Sequence, residues 1–313
     1  MLIVYPDYYR QFSCIAGDCE DTCCAGWEIV IDQKSMHRYR QSEVLKRRLL
    51  RDINWRKGTF RQCRDGRCAF LREDGREEQY EEFDYLLYDC LCDARSIMVK
   101  LLQDRSMAID VRLLLVLGIA HDIERRYRDG RLGETDEVLA CAQTAAARQR
   151  AIRRLQHRQK EIDRNYALAK RSFYRLCDLE RLRDDWDQLL IETQMLLYVQ
   201  GAKGYARVHE EFAQWWKTQY PMLAVQLEQL AVYFISTYFA GAVYDGRIYR
   251  KADTAVAYVA QLYDLFAARW LKNERSLDTE DVIELVYRYS REIEHSDPNL
   301  ERMEKYHWWR LDK

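Results

Sequence analysis

Asp110-Val111-Arg112-Leu113-Leu114-Leu115-Val116-Leu117-Gly118-Ile119-Ala120-His121-Asp122-Ile123-Glu124-Arg125-Arg126-Tyr127 carries a helical signature. Its apolar positions Val111, Leu114, Leu115, Gly118 and Ile119 recur with the 3.6-residue period of one helix face, and no proline interrupts it. Outward from this segment the same pattern repeats. From about Glu78 onward, Glu134–Arg164, Tyr166–Cys177, Asp184–Val199, Tyr205–Lys217, Met222–Tyr244, Thr254–Leu271 and Thr279–His295 are all expected to be helical. Short breaks separate them, among them Gly201–Gly204 and Tyr220-Pro221. With 3 prolines and 12 glycines in 313 residues, few residues oppose helix. No fixed-period repeat is visible, so a solenoid is not supported.

Residues 1–75 differ. Trp27-Glu28-Ile29-Val30-Ile31 is aromatic and β-branched and is expected to form a short strand, while Asp65-Gly66 and Asp74-Gly75 mark turns. The expected fold class is therefore mainly α, a helical domain (residues 78–313) preceded by a small cysteine-containing module (residues 1–77) with little strand.

Charge and hydropathy exclude several classes. The chain has 50 Lys+Arg against 51 Asp+Glu, a balance that argues against a nucleic-acid binder. The most basic run, Arg148–Lys160, keeps an apolar stripe through Ile152 and Leu155, continued by Ile162, and is expected to be a solvated helix face. The longest apolar stretch, Met222–Tyr244, is broken by Gln226, Glu228 and Gln229, so no membrane span is expected. Met1–Asp7 lacks the basic and apolar regions of a signal peptide, and the expected location is cytoplasmic.

Eight of the ten cysteines fall in the first 92 residues. In a reducing compartment, clustered thiols point to metal ligation or chemistry and not to disulfides. Cys14, Cys19, Cys23 and Cys24 lie within eleven residues of turn-rich sequence, and Cys63 and Cys68 follow in another such stretch. Thiolates on loops can wrap zinc or an iron–sulfur cluster. The spacing is neither a zinc ribbon nor the Cys-x3-Cys-x2-Cys of radical enzymes. A reactive pair at Cys23-Cys24 in a thiol redox sensor is a third reading. Cys141 and Cys177 stand singly on helical stretches and are expected in the core.

Near the C-terminal end, Asp278-Thr279-Glu280-Asp281 opens a helix with a cap residue and acidic first turn. Its apolar stripe is Val282, Leu285, Val286, Tyr289 and Ile293. Arg291 and His295 are four apart, and Glu292 and His295 three apart, so they neighbour one another on the helix. A carboxylate beside a histidine can orient the ring for proton transfer, and an ordinary surface pair has the same spacing.

Cys14-Ile15-Ala16-Gly17-Asp18-Cys19-Glu20-Asp21-Thr22-Cys23-Cys24-Ala25-Gly26-Trp27, preceded by Pro6-Asp7-Tyr8-Tyr9 and followed by Cys68-Ala69-Phe70-Leu71, resembles the flagellin lysine-N-methylase (FliB-type) family. Leu102–Ser106, Tyr233-Phe234 through Tyr244-Asp245, and Tyr289–Ser296 with Asn299 resemble its later parts, in family order. The resemblance implies a bacterial cytoplasmic enzyme that methylates lysines of flagellin from S-adenosylmethionine. It also implies an iron–sulfur cluster, of the 4Fe-4S kind where complete, on the N-terminal cysteines. A middle cysteine-rich block of the family is missing near Gly75-Arg76. The remaining candidate ligands are then Cys14, Cys19, Cys23, Cys24 and Cys68, with Cys63 as a spare. That gap opens the alternative of a metal-binding or flagellin-interaction protein with impaired catalysis.

Methyl transfer needs a neutral amine held in line with the sulfonium methyl. Tyrosines and carboxylates suit that task, and Tyr244, Asp245, Tyr289, Glu292 and His295 are the candidate catalytic residues. No glycine-rich nucleotide loop follows a strand, and Gly201-Ala202-Lys203-Gly204 is expected to be a turn, so the donor site has no motif.

Overall fold

The structure is a computed structural model that describes residues 29–31, 33–41, 46–62 and 84–305. The chain divides into two compact units, Met1–Tyr80 and Glu81–Lys313. It is mainly α.

In the first unit, α1 (Gln33–Gln41) and α2 (Lys46–Asp52) precede a hairpin of β1 (Ile53–Asn54) and β2 (Thr59–Phe60). The strands are antiparallel, with Ile53 opposite Phe60 and Asn54 opposite Thr59. The Asn54 side chain accepts from the backbone N–H of Arg56 and Lys57, both at 3.2 Å, which folds the loop between them. Ile31, Met36, Leu49 and Ile53 form a small core, too small to carry much stability alone. Of the strand expected at Trp27–Ile31, the described part pairs only as an isolated bridge from Val30 to Thr59. Cys14, Cys19, Cys23, Cys24, Cys63 and Cys68, and the turns at Asp65-Gly66 and Asp74-Gly75, lie outside the described residues.

The second unit is helical among its described residues. It runs α3 (Tyr85–Leu102), α4 (Ile109–Arg128), α5 (Thr135–Ala142), α6 (Ala145–Gln159), α7 (Ile162–Cys177) and α8 (Asp185–Thr193). A π-helical turn, Gln194–Tyr198, leads to α9 (Gly201–Gln219), α10 (Met222–Tyr238) and a 3-10 turn, Phe239–Tyr244. Then come α11 (Ile248–Lys272), α12 (Thr279–Ile293) and α13 (Asp297–Glu304).

Helix α11 is the axis. Buried side chains occupy all its sides, including Ile248, Ala252, Val256, Leu262, Leu265 and Trp270, as expected of a helix enclosed by others. Helices α4, α10 and α12 pack on it, and α4 contributes Val111, Leu114, Leu115 and Ile119. Each such side chain, once fully buried, adds about 1.5–3 kcal/mol of hydrophobic stabilisation. A buried carboxylate, Glu228 of α10, takes Arg112 of α4 at 2.8 Å and Arg105 at 2.9 Å, tying the 103–108 connection to the bundle.

Three expectations are corrected. Glu134–Arg164 is not continuous, because the Thr144 hydroxyl accepts from Ala147 N–H at 3.2 Å and starts a new helix. Gly201–Gly204 is the first turn of α9 and not a turn between helices. Gly201 takes φ +73°, and a Cβ at Gly204 would stand 2.4 Å from Gln200 Cβ. Cys141 is exposed and Cys177 half-buried, so only Cys177 packs against the core. The basic run lies on α6, where Ala147 and Ala151 are buried and Arg148 pairs with Asp104 at 2.9 Å. Among the described residues no helix is long and apolar enough to cross a membrane.

Candidate functional site

Helix α12 begins with a capping box. Asp278 accepts from Asp281 N–H at 2.9 Å, and Asp281 accepts from Asp278 N–H at 3.4 Å. Arg269 of α11 holds Asp281 and Glu284, each at 2.7 Å, fixing the rotation of the helix. With that rotation Val282, Leu285, Tyr289 and Ile293 face the core, as their spacing demands.

The segment Tyr289–Ser296 then sends its polar groups in opposite directions. Tyr289 is buried and donates to Gln261 of α11, whose amide donates to Ser172 of α7 at 3.1 and 3.0 Å. Glu292 is fully buried and accepts from Leu182 N–H at 3.0 Å, and burial pushes its carboxyl up from the usual range. Asn299 grips the same connection, accepting from Glu180 N–H at 2.8 Å and donating to Glu180 and Glu292 carbonyls at 2.9 and 2.6 Å. Glu292 is thus a clamp on the loop before α8, not one half of a surface pair. His295 is exposed at the end of the helix.

Glu294, two residues from Glu292, turns towards α10. Its Oε2 accepts from Tyr233 at 2.8 Å and from Tyr238 at 2.5 Å. Burial, then the Glu294 charge, pushes the Tyr238 hydroxyl far up, so it keeps its proton and remains a donor. The Tyr258 hydroxyl beneath is pushed up by burial, then by the charges of Glu304 and Glu294. Phe234 packs between, with its ring 5.0 Å from Tyr258 and 5.2 Å from Tyr233.

Tyr244 and Asp245 end the 3-10 turn after α10. Tyr244 is 72% exposed and lies near Tyr88 of α3. Asp245 accepts from Arg247 N–H at 2.9 Å and lies 3.6 Å from Lys251, which in turn binds Glu304 at 2.6 and 2.7 Å. Gly246 is required here, because its φ is +66° and a Cβ would stand 3.0 Å from the Tyr127 ring.

The sequence reasoning missed Glu294, Tyr233, Tyr238 and Tyr258. Helical spacing pairs Glu294 with Arg291, three residues before it, while the tyrosines it accepts from lie 61 and 56 residues upstream. The only available signal was that Tyr233 and Glu294 both fall inside segments of the resemblance.

Among the described residues no group of three or more His, Cys, Asp or Glu side chains is placed to hold a metal ion. The free thiols Cys90, Cys92, Cys141 and Cys177 are all helix-borne.

The described residues of the second unit form an all-helical bundle with a tyrosine–carboxylate cluster at Glu294, and no nucleotide-binding strand–loop–helix lies among them. The profile of the FliB lysine N-methylase C-terminal domain matches residues 95–308, more than half of the chain, and the chain belongs to that family. The match covers Arg95 of α3 through α13 and includes the whole Glu294 cluster. No curated protein and no solved structure matches the chain.

Proposed function

We propose that the chain is a protein-lysine N-methyltransferase that uses S-adenosylmethionine and acts on flagellin. The observation that carries this reading is the family match across the helical unit, with a carboxylate and two tyrosine hydroxyls gathered on its surface inside the matched residues. S-adenosylmethionine supplies a sulfonium-bound methyl group. The lysine nitrogen attacks the methyl carbon, the N–C bond forms as the S–C bond breaks, and one proton leaves the nitrogen while the donor becomes a neutral thioether. What the protein must add is positioning and removal of that proton. Of the candidates, Tyr244, Asp245 and His295 stand at the surface, where substrate can reach them. Tyr289 and Glu292 are assigned the support of α12 from within the core.

The cysteine-bearing module of residues 1–77 is proposed to carry an iron–sulfur cluster on Cys14, Cys19, Cys23, Cys24 and Cys68. The reaction moves no electrons, so a cluster there serves the module's stability or donor binding. The proposed partner is flagellin, and the proposed location the cytoplasm before export. The test is incubation of the full chain, with cluster reconstituted, with flagellin and methyl-labelled donor; label on lysine is expected, and its absence sinks the enzyme reading. A second reading, a metal-binding or flagellin-interaction protein with impaired catalysis, is favoured by the loss of the middle cysteine block near Gly75-Arg76 that the family resemblance implies. It predicts flagellin binding without transfer.

A further inference from the structure

Glu294 stands apart from the other acids around it. Glu304 is neutralised by Lys251 at 2.6 and 2.7 Å, and Asp245 lies 3.6 Å from the same ammonium. Glu294 has no cation among the described residues. Among the described residues its hydrogen bonds, from Tyr233 and Tyr238, both end on Oε2, and Oε1 takes no donor. A half-buried carboxylate held in place by two neutral hydroxyls, with one oxygen left over, is prepared for a positive ligand.

A second, independent feature points the same way. Tyr258 is only 1% exposed, yet its hydroxyl has no hydrogen-bond partner among the described residues. Buried polar groups are nearly always paired, so an orphan hydroxyl calls for a reason. It lies in the field of both Glu304 and Glu294, under the aromatic layer formed by Tyr233, Phe234 and Tyr238. Tyr233 is 48% exposed and forms the outer edge of that layer.

We infer that the side-chain amine of the acceptor lysine is captured at Glu294 Oε1, between Tyr233 and Tyr238, with the Tyr258 hydroxyl completing its shell. The inference rests on the methyltransferase reading and names the acceptor site of that reaction. A lysine fits better than a metal ion, since a hard divalent cation needs six or more oxygens and several carboxylates, and only one is at hand. The tyrosine faces suit the methylene stem, and they attract an ammonium that keeps its charge when methylated.

The experiment compares binding of intact flagellin and of flagellin with acetylated lysines to the full chain, alongside methyl transfer. The wild-type chain is expected to prefer intact flagellin by about tenfold or more, the strength of a hydrogen bond to a charged group, and Glu294→Gln to bring the ratio close to one. A ratio that survives in a Glu294→Gln chain of unchanged melting temperature overturns the inference, whether or not methyl transfer occurs. A ratio lost in Glu294→Gln, in a chain that never transfers methyl groups, upholds amine capture and removes the enzyme reading instead. Tyr258→Phe separates ligand from scaffold. With no partner to lose, the variant is expected to keep or raise its melting temperature while weakening capture. A lowered melting temperature with capture intact overturns the role given to Tyr258.

Discussion

Two carboxylates in the helical unit each accept hydrogen bonds from a pair of tyrosines. Asp264 of α11 takes Tyr198 from the π-helical turn and Tyr205 from α9 at 2.9 Å, with His209 Nε2 3.0 Å away. Tyr198 is also sandwiched by Phe173 and Tyr205, with ring centroids 4.7 and 5.5 Å apart. Glu294 takes Tyr233 and Tyr238 from a single helix, α10, and no imidazole or cation accompanies it among the described residues. The chemistry is alike and the setting opposite. Asp264 is buried and its partners come from separate elements, so the cluster joins α9 and the π-helical turn to the axis. Glu294 links the end of α12 to α10 through two hydroxyls on one oxygen, and among the described residues its other oxygen takes no donor. A carboxylate that takes hydroxyls on both oxygens inside the core holds separate elements together, whereas one that takes them on a single oxygen at the edge of the core leaves the other oxygen for a ligand.

The largest effect separates the two in stability. Asp264→Ala leaves two tyrosine hydroxyls without their acceptor inside the core and is expected to cost about 3 kcal/mol, with each orphaned buried group contributing about 1–3 kcal/mol. Glu294→Ala, at the surface, is expected to cost about 1 kcal/mol or less. Urea unfolding of the full chain measures both, and equal losses would break the comparison.

Activity is expected to reverse the order. Glu294→Gln should lower kcat/KM on flagellin by about tenfold to a hundredfold, the range of a charged hydrogen bond of about 1.5–3 kcal/mol, with melting unchanged. Tyr198→Phe should alter kcat/KM by less than about threefold at a temperature where the variant is folded. A Tyr198→Phe enzyme that is folded but inactive would place Asp264, and not Glu294, at the reaction.

How far the sequence foretold this contrast depends on the range of the signals. The α4 segment was expected over Asp110–Tyr127 and spans Ile109–Arg128, because its period-3.6 stripe is a local property that burial against α11 then uses. The stripe Val282, Leu285, Val286, Tyr289 and Ile293 on α12 was legible for the same reason. Gly201–Gly204 misled because two glycines within four residues ordinarily mark a break. Here one supplies a positive φ at the helix start and the other makes room for Gln200. Glu292 was visible as a candidate through its spacing to His295, but spacing does not reveal which face is buried. Glu294 was invisible because its tyrosines reach it across α11, α12 and some sixty residues of chain. Local patterns therefore disclosed helices and their inner faces, while the assembly of side chains from distant helices required the folded chain.

Alkaline pH offers a further separation. Burial, and then the Asp264 charge, pushes the Tyr198 and Tyr205 hydroxyls well above the ordinary tyrosine value near ~10. Above that pH the unfolded chain releases these protons while the folded chain retains them, so stability falls as pH rises past about 10. Tyr198→Phe removes one such group and should make the alkaline decline of the urea midpoint less steep. A decline of unchanged slope would remove Tyr198 from the buried, proton-retaining cluster.

The smallest effect concerns Glu292, the inward-facing neighbour of Glu294. Burial raises its carboxyl above the unfolded glutamate value of about 4.3, and one of its oxygens, Oε1, has no partner among the described residues. Between that value and its raised folded value the native chain holds a proton that the unfolded chain has lost. Its contribution to stability is therefore complete below about pH 4.3 and diminishes as pH climbs towards neutral, the reverse of a salt-bridged acid. Glu292→Gln keeps an oxygen for Leu182 N–H and carries no charge at any pH, so the variant's stability relative to wild type should improve steadily from pH 4.5 to 7. If the stability of Glu292→Gln relative to wild type did not change with pH, Glu292 would not be the buried, proton-retaining clamp of that segment.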